Sequence, residues 1–529
     1  MKDDEAPTAS SPVAVIQAGD RSEPGNYRPL TLLNHDAKLG PKFLAWRLGE
    51  VLPAIINEDE KGFVPGRSIR HLLLQFHDLQ KLCQMMYPDA CAVLIDFAKA
   101  FDSVLWPALD MILTHFGFGP TIRQGDPLSP GLFVVFIEPM LNYLRKHFTP
   151  KGLLVRPSQT PHLVMAFADD CTGLLRDIAD AKTFISLVQD FSDAAGMRLN
   201  MKKTCVMPFT HHVSRAKLAM LRTTSALHVL SITDTTKLLG ILQGASITPR
   251  ERIAVVIRNL RNRCSIWKYR ARTLKGKVVL LQTIILPLLW YTASVICVPP
   301  DVRHTVDTII RNFVHSKDTD LDDAAPGKFN SNWSYTKVDK GGLGLTPAKE
   351  FIQAMHLKCL QDAIAATVQT GSAPRWFLPA LTLFTTALSP LGEGFDVLYA
   401  NLSGLMWNPI PKLSFIPPIF SRPASRAGLV SDTLKRFNLI TPLVEPTNGP
   451  CRPAIIEAAY HNWRFENQPV VDMANRDVLP ICEDLKFRVQ HNALGFLYKF
   501  HWRTNVASPD QCIHDCSAKE NAVHLFWEC

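Results

Sequence analysis

Three aspartates stand where they could do chemistry. Asp96 closes an apolar run, CAVLIDF over 91–97, and Asp169-Asp170 lie inside a second, MAFADDC over 165–171. Carboxylates that converge from strand ends repel one another unless a cation compensates. Hard oxygen ligands of this kind suit Mg²⁺, and two such ions about 4 Å apart can clamp an in-line phosphoryl displacement. An Asp-Asp pair is also a common hairpin turn, so the pair by itself decides nothing. A second constellation closes the chain: Cys512, Cys516, His524 and Cys529 supply three thiolates and one imidazole, a tetrahedral Zn²⁺ set, with His514 as a substitute ligand. Trp502, Phe526 and Trp527 would form the small core of that module.

A third feature is charge. Residues 196–280 hold 17 Lys and Arg against Asp234 and Glu251 alone, while the rest of the chain carries 40 basic and 46 acidic residues. Positive charge confined to one segment is usually offered to a polyanion, and nucleic acid is the obvious one. A solvated helical face is the plainer alternative. Arg258, Arg261, Arg263, Lys268, Lys275 and Lys277 are the candidate phosphate contacts.

The elements that must position these groups fit within 529 residues at 47% hydrophobic and 20% charged, enough for two or three cores. That excludes a disordered tail and a disulfide mini-protein. Cys83, Cys91, Cys171, Cys205, Cys264, Cys297 and Cys359 sit singly in apolar runs, as buried thiols do. The N-terminus, MKDDEAPTASSP, has no apolar signal core, so an intracellular protein is expected. The uncharged run over 278–300 is long enough to span a bilayer, but Gln282, Thr283, Pro287, Thr292 and Ser294 favour buried helices broken at Pro287, with no membrane partner.

Along the chain, 1–26 reads as a polar arm and 27–87 as mostly helical, with a Pro/Gly loop at 64–66. A buried strand over 91–97 follows, then a helix over 104–116 capped by Asp102 or Ser103, with Pro107 in its first turn. A buried helix over 128–145 precedes a hairpin, 162–167 and 171–175, whose turn is Ala168-Asp169-Asp170. Gly196 stops a helix over 178–195. The basic region over 250–290 is helical, and beyond 300 the chain is helix-rich with proline-dense loops near 408–423.

The order of motifs is more specific than any one of them. Asp96-Phe97-Ala98-Lys99-Ala100-Phe101-Asp102-Ser103-Val104 is followed by Arg123-Gln124-Gly125-Asp126-Pro127-Leu128-Ser129-Pro130, then by Phe167-Ala168-Asp169-Asp170, then by Gly196-x-x-Leu199-Asn200-x-x-Lys203-Thr204. In this the chain resembles the reverse transcriptases of LINE-type (non-LTR) retrotransposons. Gly25-Asn26-Tyr27-Arg28-Pro29-Leu30 and Gly62-Phe63-Val64-Pro65-Gly66-Arg67-Ser68-Ile69 are similar to that family's fingers motifs. Lys237-Leu238-Leu239-Gly240-Ile241 resembles the segment that grips the primer.

The resemblance implies an α+β right-hand polymerase: fingers, a palm around an antiparallel sheet, a helical thumb, and a helical C-terminal region with a zinc-type module. The implied segments are an arm (1–26), fingers and palm (27–240), thumb (241–330), connection (331–484) and Cys/His module (485–529). It implies RNA-directed DNA synthesis from dNTPs on an RNA template and DNA primer, in the nucleus. Asp96, Asp169 and Asp170 would hold two Mg²⁺. Phe101 would stack under the sugar and exclude a 2′-hydroxyl. Gln124 and Gly125 would lie along nucleotide and template, Arg67 would contact the triphosphate, and Lys203 would protonate the departing pyrophosphate. Asp102 and Asp126 read as structural.

The departures are as specific. Gln17-Ala18 stand where the family shows a basic residue, and Glu60 replaces its glutamine before Gly-Phe. Only 27 residues separate Asp96 from Gln124, where the family has several tens that build palm and fingers strands. A rival reading is therefore a nucleic-acid-binding remnant with impaired catalysis, left by an internal deletion near 120–121, with a loosened palm that exposes apolar neighbours. An intron maturase is a second rival, disfavoured by Ala100–Val104 and the terminal Cys/His cluster. With its last ligand at the last residue and no endonuclease-like segment, the chain is expected to be a fragment at both ends.

Overall fold

Five consecutive apolar residues over 91–95 suit a central strand, paired at both edges and covered on its faces, and here the strand is paired on both sides and buried throughout. The computed structural model describes residues 11–16, 27–32, 35–117, 127–155, 160–225, 227–271, 273–315, 332–335, 338, 342–346 and 348–388. Two compact units divide them: one holds the described residues up to Ile247 together with 366–388, and the other runs from Thr248 to Ala365.

The first unit opens with β1 (Ser11–Ile16) and β2 (Tyr27–Leu32), an antiparallel pair in which Ser11 faces Leu32. This corrects two sequence expectations: 11–16 is a strand rather than part of an arm, and the region from Tyr27 starts with a strand rather than a helix. Pro12 and Pro29 suit a ribbon of only two strands, both of them edges. Helices α1 (His35–Ile55) and α2 (Ile69–Met86) follow, the second capped by Ser68, whose hydroxyl accepts the Arg70 N–H. Then come β3 (Cys91–Ile95), the short α3 (Ala100–Ser103), α4 (Trp106–His115) and α5 (Ser129–Phe148). Helix α4 starts two residues later than its sequence suggests. Leu105 is its N-cap without a side-chain bond, because Asp102 and Ser103 already belong to α3.

The unit continues with β4 (Val164–Phe167), β5 (Asp170–Leu175), α6 (Ala181–Ala195), β6 (Cys205–Pro208), α7 (Arg215–Thr224), β7 (His228–Val229), and the hairpin β8 (Thr236–Leu238) and β9 (Ile241–Gln243). The main sheet has the order β4-β5-β3-β6-β7. It is mixed rather than purely antiparallel, because β7 joins β6 in parallel through a two-residue edge. Helices α5 and α6 cover one face: Phe133, Phe136, Met140 and Phe184 pack with Val93, Ile95 and Ala166 in one buried cluster.

The second unit is helical. Helix α8 (Pro249–Trp267) starts at a full capping box, Thr248 with Glu251. After it come α9 (Leu274–Leu280), α10 (Pro287–Ala293), α11 (Pro300–Val314), α12 (Asn332–Tyr335) and α13 (Ala348–Thr370). Between α9 and α10 the chain makes one π-helical stretch, Leu281–Ile285, because Pro287 cannot continue the ladder. Among the described residues no single helix is long and apolar enough to cross a membrane. The apolar run is a pair bent by 42°, and Leu281, Ile285, Leu286, Leu289 and Ala293 are fully buried. Cys83, Cys91, Cys171, Cys205, Cys264 and Cys359 are buried, as expected, and Cys297 is half-buried.

The segment after α13 returns to the first unit, where α14 (Leu378–Leu388) packs on α2. Just before it, Arg375 donates to buried Asp59 at 2.8 Å and to the Pro161 carbonyl at 2.6 Å, and Trp376 stacks on His71 at 4.2 Å. Arg145 supplies the second cation to Asp59, at 3.1 Å. Removing one partner of a buried pair of this kind costs about 3–5 kcal/mol, since a charge is left uncompensated.

His162, beside β4, is fully buried and its Nδ1 accepts from Gln75 Nε2 at 2.9 Å. Burial, with Arg375 nearby, lowers its pKa to about 3. The folded state therefore keeps the ring neutral while the unfolded chain binds a proton below about 6.5, so stability present at neutrality is lost as pH falls from 6.5 toward 3. Between pH 7 and pH 5 this group should cost about 2 kcal/mol. Urea titrations at the two pH values, on the parent and on His162→Gln, should show that extra loss in the parent alone.

Candidate active site

Strand β3 delivers Asp96. Its register with β5 runs from Cys91 opposite Leu175 to Ile95 opposite Cys171, so Asp96 leaves the strand at the end of the sheet where Asp170 begins β5. Asp169 is the second residue of the β4–β5 turn, whose ends, Phe167 and Asp170, pair. Ala168, the first, adopts φ +56, as a tight two-residue hairpin requires. All three acids thus come to one end of one sheet: Asp96 and Asp169 half-buried, Asp170 exposed.

The segment after α6 wraps the other side of Asp96. Gly196 adopts φ +76 and ends the helix, turning the chain back toward β3. Arg198 O accepts from Ala98 N–H at 2.8 Å, Asn200 N–H donates to Asp96 O at 2.8 Å, and Thr204 Oγ1 accepts from Asp96 N–H at 3.2 Å. Lys203, 70% exposed, reaches to 3.9 Å from Asp96 Oδ2. The motif from Gly196 to Thr204 therefore fixes the main chain of Asp96 and sets one cation beside its carboxylate.

The donor set, three carboxylates on hard oxygens, fits a divalent ion such as Mg²⁺. Among the described residues no three acidic, His or Cys side chains are yet drawn together as ligands. Main-chain geometry brings these acids to one end of the sheet.

Other predicted residues fall less simply. Phe101 is 37% exposed and its ring lies 4.4 Å from that of Phe133 on α5, at the rim between core and solvent. Arg67 spends its guanidinium on main-chain carbonyls: Ile56 at 2.7 Å, Glu60 at 2.8 Å, and Asn57. It closes the C-terminal end of α1, a structural duty its sequence motif did not suggest. Gln124 and Gly125 lie outside the described residues, as do Cys512, Cys516, His524 and Cys529.

In the second unit Arg258, Arg263 and Lys275 are exposed, and Arg261 and Lys268 are half-buried. Arg250, Arg258, Arg261 and Asn262 line a groove of about 360 Å³ with Val302 and Thr305 of α11. Lys277 is a correction to the set of phosphate contacts. It is buried, and its ammonium donates to the Val314 carbonyl at 3.0 Å, neutralising the C-terminal end of α11.

The site also holds a residue that motif reading assigned no role. Glu60 is fully buried, and its Oε1 accepts from Gly62 N–H at 2.5 Å and Ala168 N–H at 3.0 Å. Burial pushes its carboxyl up to about 7, against those two amides, which lower it.

Residues 16–241 match the family described as reverse transcriptase (RNA-dependent DNA polymerase). The chain is 23% identical over 455 residues to the "Transposon TX1 uncharacterized 149 kDa protein" of Xenopus laevis, covering 79% of this chain and 32% of that protein. It is 26% identical over 394 residues to the "Retrovirus-related Pol polyprotein from type-1 retrotransposable element R2" of Popillia japonica, covering 66% and 52% respectively. The chain thus spans between a third and a half of the length of these relatives.

Gly196 tests the local construction. A Cβ there would lie 2.1 Å from Leu105 Cγ, on a backbone at φ +76. Gly196→Ala should destabilise the first unit by about 2–4 kcal/mol, combining left-handed strain with overpacking. Urea unfolding measures it.

Proposed function

Because residues 16–241 match the reverse transcriptase family and the chain is similar to proteins of transposable elements, we propose that it is an RNA-directed DNA polymerase of the non-LTR retrotransposon kind, extending a primer 3′-hydroxyl with dNTPs. The observation that carries the reading is the meeting of Asp96 with the Asp169–Asp170 hairpin at one sheet end, with Lys203 3.9 Å from Asp96. Asp96, Asp169 and Asp170 would hold two Mg²⁺. Bound there, the ions supply Lewis-acid stabilisation of charge on attacking and leaving oxygens.

The remaining work belongs to the chain. Asn200, Thr204 and the β3–β5 ladder hold Asp96 by its main chain, so its carboxylate is aimed before substrate arrives. Lys203, exposed and 3.9 Å from Asp96 Oδ2, would neutralise a departing pyrophosphate and pass it a proton. Phe101 offers a ring at the rim that can lie beneath a sugar and fill the space of a 2′-hydroxyl. The fingers and palm would be the first unit and the thumb the helices after Thr248. The exposed cations of α8 and α9 would track the phosphates of the template–primer duplex.

A second reading, a binding remnant with impaired catalysis, is favoured by the 27-residue link between Asp96 and Gln124. The exposed Leu39, Phe43, Trp46 and Met111 are the kind of apolar surface a shortened palm and fingers would leave. One experiment separates the two. The full chain should extend an RNA-templated primer in Mg²⁺, and Asp169→Asn should abolish extension while template–primer binding persists. A parent that binds and never extends favours the remnant; equal extension by parent and mutant removes the metal assignment.

Binding has its own test. Every phosphate that a Lys or Arg no longer neutralises lowers the salt slope of log K by about 0.9 on B-form DNA. Charge reversal at Arg258, Arg261 and Arg263 should flatten that slope, whereas Lys277→Met should destabilise the second unit and leave the slope unchanged.

A further inference from the structure

The acidic hairpin is held from outside the sheet. Residues 59–61 run beside β4: Lys61 N–H donates to Ala166 O at 2.8 Å, and Ala166 N–H donates to Asp59 O at 3.0 Å. At the end of β4 a side chain replaces this main-chain pairing. Glu60 Oε1 accepts from Gly62 N–H and, across 108 residues of sequence, from Ala168 N–H. Ala168 is the left-handed residue immediately before Asp169, a conformation a non-glycine residue keeps only when its surroundings impose it. The fit is close: a Cβ on Gly62 would lie 2.8 Å from Ala168 N and 3.0 Å from Glu60 Oε1. The other carboxyl oxygen, Oε2, is buried with no hydrogen-bond partner among the described residues, so the group serves the turn through one oxygen.

We propose that Glu60 is a positioning residue for the acidic hairpin: its buried carboxyl fixes the Ala168 amide and so sets the direction in which Asp169 and Asp170 present their carboxylates. This rests on the reading of those aspartates as metal ligands. Glu60 touches neither metal nor substrate; it acts through one main-chain N–H. Groups that orient metal ligands from behind typically change metal affinity about 10–100-fold when removed.

The test uses the full-length protein and Mn²⁺ as a probe of the divalent site, followed by electron paramagnetic resonance of free Mn²⁺, with primer extension measured in parallel. Asp169→Asn defines the specific signal; if it leaves Mn²⁺ binding unchanged, the metal reading fails, independently of Glu60. Glu60→Met, which fills the space and accepts no hydrogen bond, should weaken Mn²⁺ binding about 10–100-fold. Glu60→Gln keeps a carbonyl oxygen facing both amides and should bind Mn²⁺ like the parent. If the Met variant does not fold, Gly62→Ala, whose methyl presses on Ala168 N, replaces it with the same expected direction. Parental Mn²⁺ affinity in a folded Met or Gly62→Ala variant, or a loss in Glu60→Gln as large as in Glu60→Met, overturns the proposal.

Discussion

Strand β3 is bonded on both edges, to β5 and to β6, and is buried along its whole length before it ends in a charged residue. A strand so placed has no freedom to slip: a shift of one residue would turn Asp96 off its edge and break two ladders at once. Everything that bears on the site refers to this fixed end. The β4–β5 hairpin is aligned against it, and the segment from Gly196 to Thr204 is bonded to its last carbonyl and amide. The helices behind supply the hydrophobic weight that makes the ladder worth keeping.

Around that fixed point the supports are of different kinds. Asp96 is held by backbone and by one threonine hydroxyl, whereas the hairpin tip is held by a carboxyl buried where water cannot compete. Burying an ionisable group costs free energy unless its bonds repay it, and the upward push on Glu60 toward about 7 records that strain. Asp59, next to it, is compensated differently, by two guanidinium groups from distant parts of the chain. Neighbours in sequence thus meet the same low-dielectric surroundings with opposite solutions.

Much of this is legible in the residues themselves. The run CAVLIDF can hardly be anything but a buried strand, the hairpin around Asp169 shows its turn, and Gly196 announces the end of a helix. Legibility fails where the deciding partner is far away. Nothing near Lys277 says that its ammonium will find the carbonyl of Val314, so a count of charge places it on the surface. Nothing near Glu60 says that it will meet Ala168. The strand at 27–32 is hidden by Pro29, which excludes a central strand but not a two-stranded ribbon. The N-cap of α4 is obscured because α3, only four residues long, already uses Asp102 and Ser103.

The return of the chain after α13 bears on the order in which the molecule can be made. Asp59, His71 and Pro161 emerge early in synthesis, and their partners Arg375 and Trp376 come more than 200 residues later. At about 5–20 residues per second, a nascent chain carries the acid of Asp59 without its Arg375 partner, 316 residues later, for about 16 to 60 seconds. The described part of the second unit, by contrast, is contiguous in sequence, from Thr248 to Ala365. Vectorial synthesis therefore leaves the first unit waiting: its contacts from Arg375 to Asp59 and from Trp376 to His71 can close only after the helices from Thr248 to Ala365 have been made.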